Sequence, residues 1–263
     1  MKRLLLIVLP ILLIVGCGKT TDYYPNGQIR SEGVMKGNNM DGPWTYWYEN
    51  GQKEWEGTYK DGKQDGLWTE WYENGNKKEE GYYSADSPVK DGQWTYWYEN
   101  GNKKEEGHYI NDYSNVHPFK DGQWTYWHEN GNKHKEGHYK AAERSTIEFK
   151  SKKFGQWTIW YENGNYNYVS NYEFDREVGK WTLWYESGNK WKEGTLNDNS
   201  DLTDIETHWH ENGQKKFEIN YELDSVWDNH RRCWNEDGNE CDCRILNKLN
   251  SGQIIETECW NDG

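Results

Sequence analysis

The chain has 263 residues with 31 Lys and Arg against 45 Asp and Glu, a formal net charge of −14, and it holds 18 Trp and 20 Tyr beside only 5 Phe. Leu, Ile and Val are so scarce beyond residue 17 that a thick aliphatic core is excluded, and with it a Rossmann, TIM-barrel or helix-bundle layout. Trp and Tyr bury large areas while keeping a polar tip, so a thin, aromatic-rich architecture remains, and the acidic balance argues against nucleic acid and anionic lipid as partners.

The chain opens on Lys2 and Arg3, followed by an apolar stretch from Leu4 to Val15. That stretch is too short to span a bilayer as a helix, and Pro10 interrupts it. Ile14-Val15-Gly16-Cys17 resembles the bacterial lipobox, in which the Cys is lipidated and becomes the first mature residue. An ordinary secretory peptide with a chance Cys is the other reading. Residues 1–16 are thus expected to be a lipoprotein signal peptide, Cys17 the lipidation site and 17–22 a tether. The resulting expectation is a protein lipid-anchored in the bacterial cell envelope. Gly18 follows rather than Asp, so the familiar inner-membrane retention signal is absent.

From residue 23 to 226 one unit recurs, clearest at 66–81 (GLWTEWYENGNKKEEG) and 92–107 (GQWTYWYENGNKKEEG). Its turn glycines are Gly27, Gly51, Gly75, Gly101, Gly131, Gly164, Gly188, Gly213 and Gly238, and a last partial copy starts at Gly252. Length varies between copies in one place, as in 84–90, 110–120 and 140–154. These loops therefore emerge on one edge. Asn-Gly between alternating segments predicts a β-hairpin with a type I′ turn. Such a turn at Asn50-Gly51 sets Tyr48 against Lys53, Trp47 against Glu54, Tyr46 against Trp55 and Trp44 against Gly57. One face then carries Trp44, Tyr46, Tyr48, Trp55 and Tyr59, and the other Thr45, Trp47, Glu54 and Glu56. Gly57, like Gly81, Gly107, Gly137 and Gly194, leaves a gap for the opposing Trp to cover. The expected fold is all-β: a single-layer elongated antiparallel meander of about nine repeated β-hairpins.

The Gly-x-Trp…Tyr-Glu-Asn-Gly-x-Lys-x-x-Glu-Gly-x-Tyr…Asp-Gly pattern resembles the MORN-repeat variant of bacterial exported proteins and lipoproteins. Members of that family are often labelled antitoxins of toxin–antitoxin systems. The resemblance implies a β-hairpin scaffold for protein or membrane association and implies no chemistry. It weakens at 205–209, where Glu206 replaces the first Trp, and again from Trp227 onward.

Trp47, Trp71, Trp97, Trp127, Trp160, Trp184, Trp209 and Trp234 share one repeat position and should form a row in steps of about 10 Å. This ladder reads either as a packing layer or as a stacking platform for sugar rings or extended peptides. Paired carboxylates such as Glu79-Glu80 and Glu105-Glu106 recur in every unit, whereas a catalytic pair is unique. No enzyme, cofactor or metal is therefore expected. Histidines concentrate at His108, His117, His128, His134 and His138, but His108 and His138 hold equivalent repeat positions about 10 Å apart, and His134 and His138 lie about 13 Å apart on one strand, too far to share one metal.

Cys233, Cys241, Cys243 and Cys259 lie in a divergent capping segment, 227–263, and are expected to form two disulfides with the connectivity open. The simple hairpin register puts none of them directly opposite another. The leading function is a membrane-tethered scaffold for protein–protein interaction, antitoxin-like where the family label holds. The alternative is a glycan or cell-wall binding module using the Trp ladder.

Overall fold

The computed structural model describes residues 17–111, 118–141, 151–221, 231–248 and 254–260. The signal-peptide expectation, residues 1–16, lies outside them. Every element among the described residues is a β-strand. Two compact units divide near residue 88. The first holds β1 (Cys17–Tyr23), β2 (Ile29–Lys36), β3 (Asn39–Trp47), β4 (Lys53–Lys60), β5 (Lys63–Trp71) and β6 (Lys77–Ser84). The second holds β7 (Ser87–Trp97), β8 (Lys103–Ile110), β9 (Phe119–Trp127), β10 (Lys133–Ala141), β11 (Ser151–Trp160), β12 (Tyr166–Glu173) and β13 (Arg176–Trp184). It continues through β14 (Lys190–Leu196), β15 (Leu202–Trp209), β16 (Lys215–Asn220), β17 (Arg231–Trp234), β18 (Glu240–Lys248) and β19 (Ile254–Trp260). Within each unit the strands pair antiparallel with their chain neighbours, so the expected all-β hairpin meander is what forms.

Residues 17–22 are not a tether. They form most of β1, paired with β2 from Cys17 opposite Lys36 to Tyr23 opposite Ile29. The β-branched Thr20 and Thr21 favour a strand, and Lys19 pairs with Glu32 at 2.7 Å.

The turns also differ from expectation. Gly51 N–H donates to Tyr48 O and Tyr48 N–H to Gln52 O, while Asn50 Oδ1 accepts from Gln52 N–H. Gly51 has φ +86°, but Asn50 is not in the left-handed region. This is a three-residue loop closed by a glycine bulge rather than type I′. The Asn side chain holds the turn from an ordinary backbone conformation, so only the glycine must be left-handed. Trp47 consequently faces Lys53, and Tyr48–Lys53 and Trp47–Glu54 do not pair. A second irregularity leaves Glu54 over and restores Tyr46 opposite Trp55 and Trp44 opposite Gly57.

The strand glycines couple successive hairpins. A Cβ on Gly57 would lie 2.3 Å from the ring of Trp68, on the following hairpin, and one on Gly107 would lie 2.2 Å from Trp124. The covering Trp is therefore the next hairpin's and not the opposing Trp of the same hairpin, as the sequence suggests. The reason is a hydrogen bond. Trp44, Trp68, Trp124 and Trp157 Nε1 donate to the carbonyls of Val34, Thr58, His108 and His138, each the residue after the covered glycine. Trp94 and Trp124 are 1% and 0% exposed.

One region departs from this scheme. Ser170 holds the glycine position of β12, and Trp181 leans instead toward Gly194 of its own hairpin, 2.9 Å from a Cβ built there. Gly194 needs that cover because the next strand carries Glu206 where a Trp belongs. Ser170 Oγ and Trp181 Nε1 are buried without a partner. Glu206 is itself buried and accepts from His208 Nε2 (2.7 Å) and Tyr221 OH (2.9 Å), and His208 stacks on Phe217.

At the C-terminal end Phe217, Ile219 and Cys233 form a small core. Cys233–Cys243 and Cys241–Cys259 are disulfide-bonded with Cα–Cα distances of 5.4 and 5.5 Å. Contrary to the simple register, Cys233 stands opposite Cys241 and Cys243 opposite Cys259. The loop shifts the β17–β18 pairing by one, and here no second irregularity shifts it back. Both disulfides cross diagonally to an adjacent strand.

Gly107→Ala should lower the free energy of unfolding by about 1–3 kcal/mol through overpacking against Trp124, measured by urea denaturation. Loss below a few tenths would remove the interlock.

The buried acid pair gives a pH dependence. Burial chiefly holds His208 below its usual range, although Glu206 opposes this. Burial pushes Glu206 upward, but the His208 and Tyr221 hydrogen bonds outweigh it and leave Glu206 below its usual range. Both folded values lie under the unfolded ones, so both contribute stability at neutral pH; the His208 part is lost as pH falls from about 6.5 and the Glu206 part only below about 4.5. Thermal midpoints measured from pH 7 to 5 should fall less steeply in His208→Leu than in wild type, and equal slopes would rule this source out.

Candidate functional site

Each hairpin divides its aromatic residues between two faces, and the second Trp of each copy makes the ladder. Trp47 and Trp71 in the first unit are half-buried, as are Trp97, Trp127, Trp160, Trp184, Trp209 and Trp234 in the second. The fully buried row is the other one, Trp44, Trp68, Trp94, Trp124 and Trp157. The ladder leaves part of each ring at the surface.

In five hairpins the lysine after the turn reaches the ladder ring of the following hairpin. Lys53 Nζ lies 5.3 Å from the Trp71 centroid, Lys103 5.5 Å from Trp127, Lys133 5.5 Å from Trp160, Lys190 5.3 Å from Trp209 and Lys215 5.5 Å from Trp234. The same lysines pair with the carboxylate three residues on: Lys53–Glu56, Lys103–Glu106 (2.6 Å), Lys133–Glu136 (2.7 Å) and Lys190–Glu193 (2.7 Å). The recurring carboxylates thus belong to a regular grid of Trp, Lys and Glu. Exposed pairs of this kind contribute about 0–1 kcal/mol each, so the grid fixes side-chain positions more than it stabilises the fold.

The turn edge holds the grid in register. Tyr24, Tyr48, Tyr98, Tyr161 and Tyr185 donate their hydroxyls to the main-chain carbonyl of the next ladder Trp at 2.7–2.9 Å. His128 and His210 take this position in their copies and donate through Nε2 to Trp160 O and Trp234 O. Turn asparagines reinforce it, as with Asn50 Nδ2 on Glu73 O and Asn100 Nδ2 on Glu129 O. Gly51, Gly75, Gly101, Gly131, Gly164, Gly188, Gly213 and Gly238 close these turns, all with φ between +83° and +95°.

These bonds account for the histidines. His108 and His138 supply the carbonyls that the indoles of Trp124 and Trp157 bond. His134 lies 4.5 Å from the His128 ring, and burial, with His128 and Lys135 nearby, holds it below its usual range. His117 lies outside the described residues. Among the described residues no three His, Cys, Asp or Glu side chains gather as a metal site.

The opposite face carries lysines that sequence reasoning missed. Lys90, Lys120 and Lys153 lie 4.0, 3.8 and 5.0 Å from the centroids of Trp94, Trp124 and Trp157. Lys120 also donates to Glu105 and Tyr126 OH at 2.9 Å, and burial pulls its ammonium below the usual range against Glu105. They shield the Trp row where a single-layer sheet has no second layer. Their signal was present: each stands two residues before the glycine that precedes the buried Trp. In the first unit a cleft of about 450 Å³ is lined by Tyr23, Tyr24, Arg30, Tyr46, Glu54 and Trp55.

Comparison with curated proteins finds no match. Among solved structures the chain is similar to a crystal structure of TcdB2-TccC3-TEV, at 12% identity over 83% of this chain and 12% of that one, with a TM-score of 0.20. It is also similar to a Photorhabdus luminescens Tc holotoxin pore, at 10% identity over 82% and 13% of the two chains, with a TM-score of 0.24. The chain spans under a fifth of either, and likeness at this level carries no argument. The MORN repeat variant pattern matches residues 17–36, 40–61, 64–85, 90–111, 120–141, 177–198 and 205–223. These segments cover more than half of the residues and coincide with the hairpins described above, and the chain belongs to the MORN repeat variant family.

Proposed function

We propose that this chain is an exported, non-catalytic repeat scaffold, lipid-anchored at Cys17, that presents its Trp ladder to a protein partner in the cell envelope. The observation that carries the reading is the ladder itself: half-exposed indoles at equivalent positions, held through their main-chain carbonyls by Tyr or His of the preceding hairpin and, in most copies, flanked by an ion pair. Trp is among the residues most enriched at protein-recognition surfaces and their hot spots. The carboxylates recur with the repeat instead of forming one distinct pair, which favours binding over catalysis. An antitoxin-like role, in which the partner is a toxin, is the form of this reading that the family label suggests.

The anchor fits the same picture. Cys17 opens β1, so acyl chains on it would hold the first hairpin at the membrane surface without a flexible leash. Among the described residues no helix is long and apolar enough to cross a membrane. Several acyl chains at about 0.8 kcal/mol per buried CH₂ suffice for stable anchoring. A glycan reading of the ladder requires rings without a lysine between them, a condition met at Trp160 and Trp184.

Two measurements test these statements. Cys17→Ser should abolish incorporation of a clickable fatty-acid analogue into the chain, and equal label in both proteins would reject the anchor. Trp97→Ala with Trp127→Ala should keep a cooperative melt, since half-buried rings contribute about 1–3 kcal/mol each, yet lose the protein that wild type captures from envelope extracts. Undiminished capture by the double variant, or none by wild type, would sink the scaffold.

A further inference from the structure

The lysine of the ladder-face grid is replaced by Ile29 in the hairpin of β1 and β2, by Glu240 in that of β17 and β18, and by an aromatic residue in that of β11 and β12. There the lysine position is Tyr166, and the glutamate position three residues on is Val169. Tyr166 stands opposite Trp160 in register. Its ring centroid lies 6.0 Å from Trp160 at an interplanar angle of 28°, and 5.3 Å from Trp184 at 36°. Three rings therefore run together with no charge between them. Lys133 lies over Trp160 from the preceding hairpin, at the near end of the strip, and Lys190 over Trp209 beyond its far end, but Tyr166 takes the lysine's place between Trp160 and Trp184. Tyr166 is 51% exposed although nothing in the repeat requires a ring there.

We propose that Trp160, Tyr166 and Trp184 form a binding platform for a neutral β-1,4-linked glycan. This deepens the glycan reading of the ladder and is separate from the protein-partner reading. Pyranose rings with equatorial hydroxyls present planar C–H faces, which stack on Trp and Tyr and leave the hydroxyls at the rim. The rim here is Lys133 and Lys190, each already tied to a carboxylate at 2.7 Å. It thus offers donors and acceptors but no net charge. An anionic chain would meet a protein of net charge −14. A peptide anchor gains most when desolvated in a pocket, whereas this is an open strip.

Tyr166→Lys combined with Val169→Glu writes the neighbouring copies' ion pair into this hairpin, so it removes the platform while following the fold's own pattern. The full-length chain in detergent is titrated calorimetrically with chitohexaose and with cellohexaose. Wild type should bind at least one of them, the double variant about tenfold more weakly or less, and the thermal midpoint should not fall. Tyr166→Phe, which keeps the ring, should bind within about twofold of wild type. Failure of wild type to bind either oligosaccharide, or equal affinity in wild type and the double variant, overturns the proposal. So does loss of protein capture in the double variant with oligosaccharide binding unchanged, which would assign the strip to a protein. Capture lost only through Trp97 and Trp127 leaves the platform standing.

Discussion

Within each unit, Trp44, Trp68, Trp124 and Trp157 depend on a side chain that is missing from the strand before them. The indole lies where the glycine's Cβ would be, and its Nε1 donates to the carbonyl one residue further on, as Trp124 does over Gly107 with His108 O. The glycine is required for close approach rather than for a left-handed backbone, unlike Gly51. A lone two-stranded hairpin is marginal in water, and within a unit the Trp of the next hairpin completes it. Truncating such a buried Trp typically costs about 3–5 kcal/mol, so one contact per repeat is enough to make the array nearest-neighbour in its energetics. It also explains how so few aliphatic residues suffice.

The exceptions follow from the same contact. Ser170 brings a Cβ to the position an indole should occupy, so Trp181 turns to Gly194, the one strand glycine whose following Trp has become Glu206. Two departures from the repeat thus compensate each other, leaving Trp181 Nε1 and Ser170 Oγ unbonded. The acid that replaced the Trp is satisfied by His208 and Tyr221. Beyond this seam no further glycine is covered by a Trp among the described residues, and the last strands are held by Phe217, Ile219 and two disulfides. Closing loops of this size contributes about 3 kcal/mol per disulfide in the chain-entropy account, comparable to the Trp it replaces.

The periodicity made the strands and their pairing legible, because Asn-Gly turns and alternating aromatics leave few registers open. The loop type was not legible. Asn-Gly fits both a two-residue turn and a three-residue loop, and only the side-chain bond from Asn50 to Gln52 N–H decides between them. That one misreading also hid the pairing of Cys233 with Cys241, since a shift of one residue separates the two registers. The covering of Gly57 by Trp68 was equally hidden. Trp44 and Trp68 are both candidates by sequence, and the choice rests on which carbonyl an indole can reach. At the ladder the eight Trp were read directly from the repeat, whereas the lysines over their rings were read only as charge.

The two faces answer to different constraints. On one, Gly and Trp are fixed by mutual contact, and replacement at Ser170 or Glu206 required compensation nearby. On the other, the ladder Trp are positioned through their main-chain carbonyls by Tyr or His from the preceding hairpin. The Lys and Glu beside them take no part in that bond. An exposed ion pair is worth about 0–1 kcal/mol, so exchanging it for Tyr166 and Val169 leaves the interlock untouched. A repeat array built in this way can vary its ladder face hairpin by hairpin while keeping its fold. Departures from the repeat therefore mean different things on the two faces: on the Gly–Trp face they call for a compensating change nearby, and on the ladder face they alter the surface without disturbing the interlock.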